Sequence, residues 1–272
     1  MQVTVLKLGG SILTEEVAGA CAIRTQRLRR LASELAGSGP AVVVHGSGAF
    51  GKPPARLYGY VDGHLAQSAS AAVFDISQKL ETLHSAVLNA VREAGRPACS
   101  FQAVHLVQWE SGALRLAAVS PLRHMLERGA TPVVASGFVP DLDSGGFVVA
   151  SSDAIAALLA QAMGAQVLAF ATDADGVYTR FPDTSVWHRT LASDDLDALS
   201  HVLATPGDVT GGMAEKLRHG FEGARAGIRT LVLDGRLAGN VAQALAGHPF
   251  RGTELVSSSR GLTRAHISST ST

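Results

Sequence analysis

No charge excess marks this sequence. Its 23 Lys and Arg balance 23 Asp and Glu, so no net field favours nucleic acid or an anionic membrane surface. No run reaches the roughly 18 consecutive apolar residues that a membrane helix needs. The opening MQVTVLKLGGS has no basic stretch leading into a long apolar one, which reads as no secretory signal. Cysteine is nearly missing. Cys21 and Cys99 fit no zinc or CxxC spacing and are expected to be reduced thiols in a cytoplasmic protein. Lysine is scarce as well. Only Lys7, Lys52, Lys79 and Lys216 occur among the 23 basic residues, the other 19 being Arg. A coding bias toward Arg explains the scarcity but not the placement. Three of the four stand in or beside glycine-rich stretches: KLGGS, HGSGAFGK and TGGMAEK. A lysine ammonium is a compact point charge of the kind set against phosphate oxygens, whereas Arg is a planar fork.

The remainder has an ordinary soluble composition, 46% hydrophobic and 17% charged over 272 residues, enough for a buried core. Continuous β-branched runs recur at VTVLKL, AVVVH, TPVVAS, QVLAFAT and RTLVLD, as in strands covered on both faces. Between them RTQRLRRLASELA, the long AQSASAAVFDISQKLETLHSAVLNAVREAG, SDAIAALLAQAMG and MAEKLRHGFEGARAG carry helical spacing. Helix-stopping glycines end the last three, and a Ser/Asp cap opens SDAIAALLAQAMG. FVPDLDSGGFVVA reads as a hairpin. Strands alternating with helices predict an α/β fold, a three-layer αβα sandwich around a mostly parallel central sheet. The Ser/Thr-rich end, 258–272, is expected to be a surface tail.

The glycine loops fall where strands end. KLGGS follows the first strand and HGSG the second. Ligands of open α/β sheets bind at such carboxyl ends, where bare backbone lets N–H groups cradle phosphate oxygens. A tight turn accounts for either loop alone; two at successive strand ends, each with a lysine, favour an anion site. Neither is a Walker A or a dinucleotide-binding fingerprint. TDADGVYTRFP offers Asp173 and Asp175 to a nucleotide or hydrated magnesium, with an Asp-Gly turn as the other reading. DVTGGMAEK sets Thr210 and two glycines before a helix and Lys216 near its first turn, where an anion site and a mere cap weigh about equally.

Taken in order, LKLGGS, HGSGAFGKP, SSD, TDADGVYTRFP and DVTGGMAEK resemble the amino acid kinase superfamily along nearly the whole chain. The nearest look is to the isopentenyl phosphate kinase and fosfomycin-resistance kinase group. The resemblance implies one kinase domain over 1–272, with an acceptor-binding lobe at about 1–150 and a nucleotide-binding lobe at about 151–257. It also implies ATP with Mg2+ as phosphoryl donor, a small anionic acceptor and a homodimer, and no nucleic acid, membrane or protein-held metal. Carried over by position, Lys7 and Lys216 hold the transferring phosphoryl group and Asp153 organises them. Gly9, Gly10 and Ser11 line the donor phosphates. Thr172, Asp173, Asp175, Gly176 and Tyr178 lie near the nucleotide, with Thr210 and Gly211 by its phosphates. Gly46, Ser47, Gly48, Gly51 and Lys52 serve the acceptor.

The departures sit on the acceptor side. Lys52 stands where the resembling kinases carry a His on the acceptor phosphate, Ser47 replaces a glycine, and Ser136-Gly137 replaces a common Gly-Asp. The resemblance therefore implies an ATP-dependent kinase of a phosphate monoester such as isopentenyl phosphate. A phosphonate or natural-product kinase, a carboxylate kinase and a non-catalytic nucleotide sensor are the other readings. His45 and His84 read as packing residues at least as readily as ligands. The apolar face of 66–94, with Val73, Ile76, Leu80, Leu83, Val87 and Leu88, reads either as core or as an acceptor wall suited to a short hydrocarbon chain.

Overall fold

The structure is a computed structural model describing residues 2–51, 64–65, 70–180, 182–195 and 212–257. Lys52, Thr210, Gly211 and the expected tail lie outside the described residues.

Eight strands form the central sheet: β1 (Thr4–Leu8), β2 (Ala41–His45), β3 (Ala98–Gln102), β4 (Thr131–Ala135), β5 (Val167–Thr172), β6 (Thr190–Ala192), β7 (Arg229–Asp234) and β8 (Gly252–Val256). Their order is β6-β8-β7-β5-β1-β2-β4-β3. Every neighbouring pair is parallel except β7 with β8. The five expected strands form the contiguous block β7-β5-β1-β2-β4. The sequence reading passed over β3, β6 and β8, which are short or at the sheet margins and lack a continuous β-branched run. It also passed over small hairpins, Thr14–Val17 with Ala20–Ile23 and Val107–Glu110 with Ala113–Leu116. The expected hairpin is present as Phe138–Pro140 against Phe147–Val149, which also pairs with His64–Leu65.

Helices cover both faces: α1 (Gly10–Leu13), α2 (Thr25–Ala36), α3 (Ser70–Glu93), α4 (Ser120–Glu127), α5 (Ser152–Met163), α6 (Gly212–Arg225) and α7 (Asn240–Leu245). Side chains alternate across each strand, and that parity sorts the core. Val5, Val42, Val44, Phe170 and Val232 pack with α4, α5 and α6. Leu6, Leu8, Val43, Val133 and Leu231 pack with α1, α2, α3 and α7. Each face therefore receives continuous apolar strands, as the uninterrupted sequence runs require.

Parity also aims two polar residues. Lys7 shares the face of Val5 and points toward α5 and α6. His45 shares the face of Val43 and points toward α3. The local ends hold one correction. The Ser/Asp cap expected at Ser152–Asp153 falls inside the first turn of α5; Ser151 is the N-cap residue and makes no side-chain capping bond, and Asp153 is buried. Gly164 closes the same helix in a left-handed conformation, φ 58°, as expected for its C-terminus. Among the described residues, no helix is long and apolar enough to cross a membrane.

Candidate active site

Because β1, β2, β4, β5 and β7 run parallel, their carboxyl ends emerge on one side of the sheet. Backbone bonds extend the ladder into the loops: Gly9 N–H donates to Ala171 O (2.9 Å), Gly46 N–H to Leu8 O (3.0 Å) and Gly235 N–H to Thr172 O (2.8 Å). The loops are thus fixed at their roots. Between them lies a cleft of about 810 Å³, of ligand-binding size. Of the residues singled out from sequence, Lys7, Gly9, Gly10, Ser11, Gly46, Ser47, Gly48, Asp153, Thr172, Asp173, Asp175, Tyr178 and Lys216 line it.

At its floor three charges meet. Lys7 Nζ lies 2.8 Å from Asp153 Oδ1. Lys216 Nζ lies 3.0 Å from Oδ1 and 3.1 Å from Oδ2. All three residues are buried, at 5, 8 and 6% exposure for Lys7, Asp153 and Lys216. Lys216 Nζ also sits 5.5 Å from the centre of the Phe170 ring, a favourable cation–π approach. Burial, and secondarily the Lys216 charge, pull Lys7 down to about 8 against the attraction of Asp153. Burial works to raise the Asp153 carboxyl, but the Lys216 and Lys7 ammoniums together outweigh it and hold Asp153 well below the usual carboxylate range. At neutral pH the triad therefore carries two cations and one anion. Its net positive charge, in a buried setting, is an invitation to an anion.

The first two loops touch backbone to backbone. A Cβ on Gly10 would lie 2.2 Å from the Gly48 nitrogen, and one on Gly48, which has φ 50°, would lie 2.0 Å from Thr14 Oγ1. No side chain fits at either position without moving main chain. Thr14 pins the pair. Its hydroxyl donates to Gly10 O and accepts from Ala49 N–H, both at 2.9 Å. Sequence reasoning missed Thr14, and nothing local to it could have signalled a contact 35 residues away. It also missed Arg236, which lines the cleft just past the end of β7; the strand-end rule applied to LDGR would have flagged it.

Asp175 is held rather than free. Its Oδ1 pairs with Arg236 (3.0 Å) and Arg251 (2.9 Å), and its Oδ2 accepts from the Tyr178 hydroxyl (3.1 Å). Asp173 is exposed beside it. Two residues named from sequence are not brought to the cleft wall. Gly176 packs behind it, where a Cβ would come within 2.7 Å of Trp187 and 2.8 Å of Thr253. Gly51 packs on Ser47, 2.5 Å from where its Cβ would stand. Among the described residues, no group of three or more His, Cys, Asp or Glu could hold a metal ion by itself. Cys21 and Cys99 are free thiols.

On the other face of the sheet, His45 and His84 form a buried pair. His45 Nδ1 lies 3.2 Å from Gly46 O, His45 Nε2 lies 2.9 Å from His84 Nδ1, and His84 Nε2 lies 2.7 Å from Ser100 Oγ. The packing reading of these histidines is therefore met, with hydrogen bonds at every ring nitrogen.

Comparison with known proteins agrees with this arrangement. The amino acid kinase family model matches residues 2–234. An isopentenyl phosphate kinase of Methanothermobacter thermautotrophicus is 33% identical over 262 residues, covering 92% of this chain and 98% of that protein. A glutamate 5-kinase of Xylella fastidiosa is 31% identical over 259 residues, 92% of this chain and 64% of that one. Among solved structures, an isopentenyl phosphate kinase superposes with a TM-score of 0.80 at 28% identity, over 94% of this chain and 100% of the other. With that extent of match, and with its glycine loops and lysines gathered at the ends of one parallel sheet, the chain belongs to the amino acid kinase family.

Proposed function

We propose that the cleft transfers the γ-phosphoryl group of ATP to a phosphate oxygen of a small phosphate monoester, isopentenyl phosphate being the acceptor its walls suit best. The observation that carries this reading is the meeting of Lys7 and Lys216 on Asp153 beneath two glycine loops. The chain is a phosphotransferase of its family, and phosphoryl transfer needs positioned charge rather than a covalent nucleophile. An acceptor oxygen forms a bond to the γ-phosphorus as the bond to the β–γ bridging oxygen breaks, giving a diphosphate and ADP. Lys7 and Lys216 neutralise the equatorial oxygens. Asp153 holds both ammoniums at one point without cancelling their charge. Gly9, Gly10 and Ser11 offer backbone to the donor phosphates, and Gly46, Ser47 and Gly48 offer it to the acceptor. The residues fit a triphosphate, since the contacting glycine backbones leave no room for a Cβ and the buried charge is cationic. Magnesium would arrive held mainly by nucleotide phosphates and water, as is usual for this ion, with Asp173 an exposed carboxylate on the cleft wall.

A buried apolar cluster lies beside the acceptor loop and reaches the cleft at Val149. Val73, Ile76, Leu80 and Phe138 are buried together, with Phe50, Phe147 and Val149 against them. Phe50 comes just after Ala49 at the end of the Gly46–Gly48 loop, and Val149 lines the cleft. A short hydrocarbon chain suits such a wall better than a charged acceptor does. In this reading the acceptor binds on the 1–150 side and the nucleotide on the 151–257 side. Lys52, outside the described residues, takes the acceptor phosphate on sequence grounds. A cytoplasmic homodimer is the assembly the family resemblance implies.

The test is ADP release with ATP, Mg2+ and a panel of acceptors. Isopentenyl phosphate is expected to be turned over, and glutamate and a phosphonate are not. Turnover of one of the latter alone would overturn the choice of acceptor. A pH profile tests the site itself. Lys7 is cationic below about 8 and loses its charge as pH rises through that value. The free enzyme's kcat/KM for ATP should therefore fall about tenfold per pH unit above pH ~8. In Lys7→Arg, whose guanidinium stays charged, that limb should vanish even though the overall rate is lower. A wild-type profile flat to pH 10 contradicts the assignment.

A further inference from the structure

The His45–His84 pair occupies a place where apolar residues would pack without penalty. On the same sheet face lie Val43 and Val133, and from α3 come Leu83 and Val87, all fully buried. Two imidazoles there need desolvation, offset by their hydrogen bonds to each other, to Gly46 O and to Ser100 Oγ. Their location suggests what the arrangement accomplishes. His45 is the last residue of β2, and Gly46 begins the loop on the acceptor side of the cleft.

The direction of the hydrogen bonds follows from one fixed acceptor. Gly46 O can only accept, so His45 Nδ1–H donates to it. His45 Nε2 is then an acceptor, and His84 Nδ1–H donates to it. His84 Nε2 accepts from the Ser100 hydroxyl. This one-way order holds for neutral rings; a charged His84 would instead donate to the Ser100 hydroxyl, and burial is what disfavours that charge. Burial, with the neighbouring His84 secondary, pushes His45 down to about 3, and burial also lowers His84. At the loop end, a trans peptide keeps its C=O and N–H on opposite sides. Holding Gly46 O toward His45 in the core therefore turns the Ser47 N–H away from the core. Ser47, Gly46 and Gly48 all line the cleft.

We propose that His45 and His84 are positioning residues, a neutral one-way relay from Ser100 that orients the Gly46–Ser47 peptide so that its N–H serves the acceptor anion. This rests on reading Gly46–Gly48 as the acceptor loop. The relay also ties β3, α3 and β2 together at one point. The helix whose Val73, Ile76 and Leu80 wall the apolar patch is thereby held in register with the loop.

Two substitutions separate the two ring nitrogens. In His45→Asn the amide nitrogen reaches the Nδ1 position and keeps the bond to Gly46. In His45→Gln it reaches the Nε2 position, keeping His84 and releasing Gly46. His45→Gln is expected to raise the KM for isopentenyl phosphate about tenfold while the KM for ATP stays within about twofold. His45→Asn, which keeps the Gly46 bond but loses the His84 anchor, should have an acceptor KM between wild type and His45→Gln, with the KM for ATP again within about twofold. Equal acceptor KM values for the two variants, or a loss that tracks melting temperature instead of the retained bond, would overturn the proposal. Nitrogen-15 NMR of histidine in the wild-type protein supplies a check that no misfolded variant can spoil. His45 should carry its proton on Nδ1 at pH 7, and a proton on Nε2 would sink the relay whatever the kinetics. Failure of wild-type protein to turn over isopentenyl phosphate would count against the acceptor and leave the tautomer result standing.

Discussion

Replacing Lys216 by Ala, or Lys7 by Ala, is expected to lower kcat at least ~100-fold, the cost of losing one cation that acts on transition-state charge. The loss should appear mostly in kcat. The charge on the transferring group shifts during reaction, so an ammonium set against it does more in the transition state than for bound substrate. The double variant should lose less than the product of the two single effects, since both ammoniums meet on one carboxylate and act as a unit. Stability should move little by comparison. Removing either lysine leaves Asp153 one buried cationic partner, and the triad goes from net positive to neutral. The pairing of a large kinetic loss with a small change in melting temperature separates this role from a purely structural one. Single-turnover kinetics with ATP and the acceptor are the measurement. Wild-type rates in the double variant would end the case for these lysines.

Asp153→Asn should do the reverse and strike the fold itself. The substitution leaves two ammoniums close together and buried with no counter-charge. Breaking a buried ion pair from one side costs on the order of 3–5 kcal/mol, or roughly 10 °C in melting temperature for a chain of this size. The pH dependence of that loss identifies its cause. With Asp153 gone, Lys7 in the folded state should titrate below its present value of about 8, while in the unfolded state it stays near its ordinary 10.5. Between those values the unfolded chain binds more protons, so stability rises with pH. The deficit of Asp153→Asn against wild type should therefore be greatest below the variant's lowered Lys7 value and shrink as pH rises to about 8, above which Lys7 has shed its charge in both folded proteins and the deficit levels off. A deficit independent of pH would mean that lost packing, and not bared charge, is responsible.

Much of the site was legible one residue at a time. Lys7, Lys216 and Asp153 were named from three separate motifs, and the structure brings both ammoniums within 3.1 Å of the Asp153 carboxylate. The glycines of KLGGS and HGSG were marked as close-approach positions, and two of them prove to be in backbone contact. Gly176 and Gly51 are also glycines of the quoted motifs, yet their tight contacts are with the side chains of Trp187 and Thr253 and of Ser47. A glycine reports that something comes close. It does not say whether that is a ligand, a loop or a side chain. Ser152 and Asp153 make the same point, for the cap they signal in sequence stands inside the helix, and Ser151 at the N-cap makes no side-chain capping bond.

The sequence by itself determined the layers. Continuous β-branched runs demanded a sheet covered on both faces, and the turn chemistry after each run set loops at the strand ends. Those are local requirements, written within a dozen residues of where they act. Only the tertiary structure decided which loops would meet. Strand parity sent Lys7 to one face and His45 to the other. Packing of α5 and α6 on that first face carried Asp153 and Lys216 to Lys7, while the meeting of the loops after β1 and β2 brought Thr14 to Ala49. Such pairings join residues tens to hundreds of positions apart. Their free energy comes from burial and charge that exist only once the chain has closed, so no local stretch can carry their signature.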